Sequence, residues 1–338
     1  MTLQTPRGRA PSIRDVARLA GVSHQTVSRV LNDHPSLRAE TRDRVVAVMA
    51  ELNYRPNPAA RALVTSRSRI IGVLSAQSSE YGPASSIKGI EEAARSRGFF
   101  VIVANVDGRD PASITEAVNY LLGQAVEGLV VMAPQVRVRR VLAKLNLTRP
   151  FVTMQASAEE SENALSVDQV EGARMATGHL LDLGHRSIYH LAGPQDWIEA
   201  EGRMAGFLAE MSSRDVQTTA PILGDWSADF GYRAGRELLR MRDFTAIFSS
   251  NDQMALGLMH AVREAGLNVP GDVSIVGFDD IPEAAHFWPP LTTVRQDFGE
   301  LGRRCVAMLL NDLTDETTQV KTLIPDLIVR ESTAPPAF

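Results

Sequence analysis

The 338-residue chain has one cysteine, Cys305, so no disulfide framework can be drawn, and the thiol reads as filler in a helix from about Leu301 to Leu310. No apolar run approaches the length of a membrane helix, and Met1 to Pro11 lacks the apolar stretch of a secretory signal. A cytoplasmic protein with no membrane partner is expected. None of the seven histidines stands at a short metal-ligand spacing from another histidine or the cysteine; His179, His185 and His190 are too widely spaced. Neither a G-x-S-x-G elbow nor a G-x-x-x-x-G-K-[ST] loop occurs, so hydrolase and nucleotide-triphosphate chemistry have no motif. No metal, no cofactor and no catalytic residue are expected. Short-period repeats and low-complexity tracts are absent too.

What is present is long enough for a sizeable core plus a separate module. Charge divides the chain in the same way. Residues 1–69 carry 12 Arg against 5 Asp and Glu, +7, which leaves −12 on the remainder of a chain whose net charge is −5. A basic head on an acidic body points to a polyanionic partner; a charged tail without function is the alternative.

Three short helices can be drawn between Ser12 and Asn53. Ser12 with Asp15 forms a capping-box pattern, Val16, Leu19 and Ala20 share one side, and Gly21 closes the helix into a tight turn. Ser23 caps a second helix with Val27, Val30 and Leu31 inward. The third, from about Ala39, repeats apolar residues at Val45, Val48, Met49 and Leu52. Two helices around a glycine with a third behind them make a helix-turn-helix candidate. With Ser23 as the cap, His24, Gln25, Ser28 and Arg29 fall on the face opposite Val27 and Val30. Gln suits adenine edges and Arg suits guanine, so this face suits base readout in a major groove. A protein-docking domain with a solvated polar face is the alternative, which the basic charge and the turn glycine disfavour.

Arg55-Pro56-Asn57-Pro58 ends the head, and Asn57 before Pro58 is a cap followed by a first helical position. A helix to about Val64 would carry Ala59, Ala60 and Leu63 on one side with Arg61 beside them. Leu63 as a minor-groove wedge and a plain linker helix fit these residues equally well. Beyond Arg69, strand-like runs (Ile70–Leu74, Phe100–Ala104, Leu129–Ala133, Phe151–Met154, Ile188–Ala192, Ala246–Ser249 and Val273–Phe278) alternate with amphipathic segments, several closed by glycine. That alternation predicts an α/β core of parallel sheets with helices on both faces.

Ile13-Arg14-Asp15-Val16-Ala17 and Gly21-Val22-Ser23-His24-Gln25-Thr26-Val27-Ser28-Arg29-Val30-Leu31-Asn32 resemble the head of the lactose-repressor/galactose-repressor family. Asn53-Tyr54-Arg55-Pro56-Asn57, Leu183-Gly184-His185, Gly224-Asp225-Trp226-Ser227, Ser250-Asn251-Asp252-Gln253-Met254, Gly277-Phe278-Asp279-Asp280 and Gln296-Asp297-Phe298 extend the resemblance along nearly the whole chain. It implies a ligand-responsive transcription regulator, not an enzyme, that binds double-stranded operator DNA as a homodimer. It implies a helix-turn-helix domain over 1–56, a hinge helix and linker over 57–69, and a periplasmic-binding-protein-like core over 70–338. The N-subdomain would span about 70–167 and 298–325, the C-subdomain about 168–294 and 326–334. Ser23, His24, Gln25, Ser28, Arg29, Asn57, Ala60 and Arg61 would meet DNA, and Leu63 would be the wedge. The family's lactose-responsive member has a C-terminal leucine-heptad segment that makes tetramers; this chain stops at Pro335-Pro336-Ala337-Phe338, so a dimer is expected.

Ligands of doubly wound sheets bind outside the carboxyl ends of strands, where this sequence would present Ala76-Gln77, Met132, Gln155, Asn251-Asp252 and Asp279-Asp280. Carboxylates and amides bridge sugar hydroxyls, Arg203 adds a forked donor, and Trp226 and Phe298 offer faces for a pyranose. Asn251 and Asp279 could instead cap the next helix, and Trp226 could be ordinary core. The resemblance places Arg203, Trp226, Asn251, Asp279, Gln296 and Phe298 at a sugar effector. It also implies a β-galactoside or β-glucoside, since the loop around Trp226 is similar to that of galactoside-responsive members. Gln155 stands where the lactose-responsive member has a carboxylate. A periplasmic-type sugar-binding protein, a sugar-converting enzyme and a corepressor-dependent regulator of another metabolite are the rival readings.

Overall fold

The computed structural model describes residues 11–31, 35, 37–55, 67–76, 80–108, 110–132, 135–145, 147–154, 163–312 and 322–337. The chain divides into two compact units, Met1–Ser68 and Arg69–Phe338.

In the first unit, α1 (Ile13–Ala20), α2 (His24–Leu31) and α3 (Ala39–Glu51) enclose a small core of Val16, Ala17, Ala20, Val27, Val30 and Val45. The capping box forms in both directions: the Ser12 amide donates to Asp15 Oδ2 at 2.9 Å, and the Asp15 amide donates to Ser12 Oγ at 3.4 Å. Gly21 ends α1 at φ 65°, a left-handed conformation that a side chain would strain, and so allows the sharp turn into α2. Ser23 then caps α2 by accepting from the Thr26 amide at 3.1 Å.

The second unit contains two six-stranded sheets. The first, in order β11-β5-β4-β3-β1-β2, comprises β1 (Ile70–Ala76), β2 (Phe100–Val106), β3 (Gly128–Met132), β4 (Phe151–Met154), β5 (Ala164–Val167) and β11 (Thr322–Leu323), all paired in parallel. The second, in order β12-β10-β9-β8-β6-β7, comprises β6 (Ile188–Ala192), β7 (Ile222–Leu223), β8 (Ala246–Ser249), β9 (Ser274–Asp279), β10 (Thr292–Arg295) and β12 (Asp326–Ile328), parallel except at the β10–β12 edge. Inner strands such as β3 and β9 are buried at every residue, because helices cover both faces and alternation is lost.

The helices are α4 (Tyr81–Ser96), α5 (Pro111–Gly123), α6 (Val136–Leu142), α7 (Gln169–Asp182), α8 (Ile198–Ser213), α9 (Ala228–Met241), α10 (Asp252–Glu264) and α11 (Phe298–Asp312). The chain leaves the first sheet after β5, returns through α11 and β11, and ends on the second sheet at β12. The seven apolar runs all form strands, within two residues at each end. The sequence reading missed five others, β5, β7, β10, β11 and β12, each of two to four residues. Segments this short carry too few side chains for a period to show. Cys305 is fully buried in α11, and burial pushes its thiol up to about 12, so it packs as an apolar group.

Candidate functional site

On the head, His24, Gln25 and Arg29 are exposed along α2 and Ser28 is half-buried, while Val27 and Val30 face the core. The polar face is therefore free to meet a partner. Ser23 is exposed and its hydroxyl is engaged in the cap. Asn57, Ala60, Arg61 and Leu63 lie outside the described residues, as does Gln155.

In the second unit, the carboxyl ends of both sheets open on one cavity of about 810 Å³, counting its open mouth. Met132, Met154 and Val167 end strands of the first sheet there; Asn251, Asp279 and Gln296 come from the ends of β8, β9 and β10. Arg203, Trp226 and Phe298 complete the expected wall. Ala76 is not on it. Its methyl packs with Leu74, Val106 and Val131, because alternation along β1 turns residues 74 and 76 to the face opposite Ile71 and Val73.

The polar centre is a closed ring of four side chains. Arg203 Nε donates to Gln169 Oε1 at 2.8 Å, Gln169 Nε2 to Gln296 Oε1 at 2.7 Å, and Gln296 Nε2 to Asp279 Oδ1 at 2.7 Å. The ring closes where Arg203 Nη2 lies 3.3 Å from Asp279 Oδ1. Arg203 also donates to the Ser250 carbonyl, and its guanidinium lies 3.9 Å from the Phe278 ring centre and 5.5 Å from that of Trp226. Asp279 adopts φ 109°, a strained value for a non-glycine residue at the end of a buried strand. Burial pushes its carboxyl up to about 6 against the pull of Arg203 and Gln296, and burial lowers Arg203 despite its acidic neighbours. Each side chain is held by the next, so the groups facing the cavity are fixed before a ligand arrives.

Asn251 proves to have a structural role as well as a place on the wall. Its Oδ1 accepts from the Met254 amide at 2.9 Å, capping α10, and its Nδ2 donates to the Trp226 carbonyl at 2.9 Å. Trp226, at φ 72° and 7% exposed, lies with its far ring edge over Gly193 and edge-on to Trp197 at 5.7 Å. Little of its indole remains for a sugar face. Asp252 and Asp280 are not on the wall: Asp252 accepts from Thr293 Oγ1 at 2.6 Å and the Ile281 amide at 2.9 Å, and Asp280 pairs with Arg295 and Arg330.

Sequence reasoning missed Gln169, Glu199, Trp197, Glu80 and Tyr81, all on the wall. Gln169 follows β5, a strand too short to read, so its place at a strand end was hidden. Tyr81 and Phe298 meet edge to face at 5.8 Å and bring the first residues of α4 and α11 together.

Residues 12–57 match the family described as bacterial regulatory proteins, lacI family, and residues 177–333 match the periplasmic binding protein-like domain. The lactose operon repressor of Escherichia coli (strain K12) is 36% identical over 324 residues, which span 95% of this chain and 90% of that protein. The chain belongs to the lacI family of bacterial regulatory proteins. A crystal structure of the lac repressor dimer bound to operator and the anti-inducer ONPF superposes with a TM-score of 0.89 at 35% identity, over 96% of this chain and 100% of that one. The transcriptional regulator CelR in complex with cellobiose gives a TM-score of 0.70 at 31% identity, over 95% and 99%.

This lacI-family chain is a ligand-responsive, DNA-binding regulator with a helix-turn-helix head and a periplasmic-binding-protein-like core. Among the described residues no helix is long and apolar enough to cross a membrane, and no group of His, Cys, Asp and Glu is placed to hold a metal ion.

Proposed function

We propose that the chain is a cytoplasmic repressor of sugar-utilisation genes that holds its operator as a homodimer and leaves it when a β-galactoside or β-glucoside enters the cleft. The observation that carries this reading is the preorganised ring of Arg203, Gln169, Gln296 and Asp279 beside Trp226 and Phe298. Its carboxylate and forked guanidinium suit vicinal hydroxyls, and the half-buried ring of Phe298 on the wall suits the C–H surface of a pyranose. The lac repressor and CelR, named for complexes with operator, ONPF and cellobiose, support the same reading. The site binds its sugar and does not convert it: incubated radiolabelled cellobiose should be recovered unchanged.

On the DNA side, His24, Gln25, Ser28 and Arg29 read base edges from α2, Ser23 holds the start of that helix, Asn57, Ala60 and Arg61 lie along the hinge, and Leu63 enters the minor groove. Arg29→Ala should weaken binding to an operator selected from random DNA by about 10- to 100-fold, and affect bulk DNA far less, because base readout is lost while most phosphate contacts remain. Equal losses on both DNAs would contradict this role. Cellobiose and methyl β-galactoside, titrated into the operator complex, should release the protein. Binding of hypoxanthine with failure of every glycoside would overturn the sugar assignment and leave the regulator intact.

A further inference from the structure

Beyond residue 69 the chain carries −12, yet a row of basic side chains lines one end of the first sheet. Between Glu127 and Glu159 there are five Lys and Arg and no acid. That stretch supplies Lys144, just past α6, and Arg149, just before β4. Main-chain bonds set the neighbouring strand starts level with them. The Leu129 amide donates to the Pro150 carbonyl at 2.9 Å, the Glu127 amide to the Ile70 carbonyl at 2.8 Å, and the Phe100 amide to the Arg69 carbonyl at 2.8 Å. Arg149, Arg69 and Arg97 therefore stand at the amino ends of β4, β1 and β2, and Arg69 Nη1 lies over Gly98, where a side chain would otherwise be. With neighbouring strands about 4.8 Å apart, the starts of β4, β3, β1 and β2 make a row about 14 Å long.

Arg69, Arg95, Arg97, Lys144 and Arg149 are all exposed, and no ion pair among the described residues holds any of their side chains. Elsewhere in the same unit Arg174, Arg214, Arg303 and Arg304 each pair with a carboxylate. The acids at this end are few. Glu127 is buried, with Oε1 accepting from the Arg69 amide at 2.7 Å, Glu92 precedes Arg95 by one turn of α4, and Asp312 closes α11, whose Leu309 packs on Gly128. The row keeps a positive excess. Like charges held along one edge repel each other, so an edge that keeps them suits a polyanion.

We propose that this row is a second DNA contact, in which the core itself takes phosphates of the duplex that the head reads. The chain passes from the head into the core at Arg69, so the row lies on the end of the sheet to which the head is tethered. Phosphates of one strand recur about every 3.4 Å along the duplex axis, so a row of about 14 Å faces about four of them. Phosphate contacts carry no sequence information by themselves. The row therefore adds affinity for any duplex and leaves the choice of bases to α2, a part distinct from both the base-reading face and the effector cleft.

The test is the salt dependence of DNA binding by the full-length protein, read by fluorescence anisotropy on an operator selected from random DNA and on a scrambled duplex of equal length. Each phosphate contact adds about 0.9 to the slope of log affinity against log salt. Arg97→Gln, Lys144→Gln and Arg149→Gln combined should lower that slope by about 2 to 3 on both duplexes, and weaken both about tenfold or more near ~0.1 M salt. Arg97→Lys with Arg149→Lys should keep the wild-type slope, because a point charge suffices for a phosphate. All three side chains are exposed, so the melting temperature should not move. Arg29→Ala serves as the contrast, since its loss falls on the operator. A triple variant with the wild-type slope on both duplexes would overturn the second contact and leave the base-reading face standing. A loss confined to the operator would overturn it as well, because phosphate contacts cannot tell the two duplexes apart.

Discussion

Arg203→Met is expected to abolish glycoside binding and to lower the stability of the 69–338 unit by about 3 to 5 kcal/mol, the cost of breaking a buried ion pair from one side. Arg203 is 5% exposed and Asp279 8%, so the carboxylate left behind is poorly solvated. The same change frees Gln169 Oε1 and the Ser250 carbonyl. Asp279 already titrates at about 6, above its ordinary 3.8, so the folded state prefers it protonated and its contribution to stability falls as pH rises between those values. Without Arg203 that loss deepens and extends to higher pH. The variant should therefore melt closer to wild type at pH 5 than at pH 8, and Arg203→Met combined with Asp279→Asn should recover much of the deficit at pH 8. Scanning calorimetry at the two pH values decides the matter: equal deficits at both would show that the buried carboxylate is not the cause.

Gly257→Val should be nearly as damaging, through packing and not charge. Helices α9 and α10 cross where Gly257 has no side chain, and a Cβ there would fall within contact distance of the Ala228 carbonyl oxygen and the Tyr232 amide nitrogen. Main chain cannot rotate out of the way as a side chain can, so the helices must separate, at the upper end of roughly 1 to 3 kcal/mol for overpacking. The strain reaches the cleft directly. Helix α10 starts at Asn251, which caps it and also holds the Trp226 carbonyl. Sugar affinity should fall about tenfold in the folded variant, as misplacement of one wall group implies. Unchanged affinity by calorimetry would show that the helix start is uncoupled from the crossing.

The head was legible in the sequence almost residue by residue, because its elements are held by local rules. A capping box spans four residues, a glycine turn spans one, and the buried residues recur at helical spacing within each helix, Val16, Ala17 and Ala20 on α1 and Val27 and Val30 on α2. The long strands were legible for a related reason: a strand buried on both faces is a continuous apolar run. The cleft was legible in part. Arg203, Asp279, Gln296, Trp226 and Phe298 were expected at it and are on its wall. Asn251 was open between cap and ligand group, and the structure gives it the cap while keeping it on the wall.

Charge distribution, the capped head helices, the parallel α/β core and the family are thus determined by the sequence alone, since each follows from neighbours along the chain or from motifs in a fixed order. Only the tertiary structure decided which way a strand-end residue faces. It turned Ala76 into an apolar cluster, gave Asp252 and Asp280 partners away from the cavity, and joined Gln169 to Arg203 and Gln296 across 34 and 127 residues of chain. Among the described residues it also left Glu199 Oε2 and Trp226 Nε1 buried without hydrogen-bond partners. Hydrogen bonding and desolvation depend on what the fold brings within about 3 Å, and sequence separation sets no limit on that.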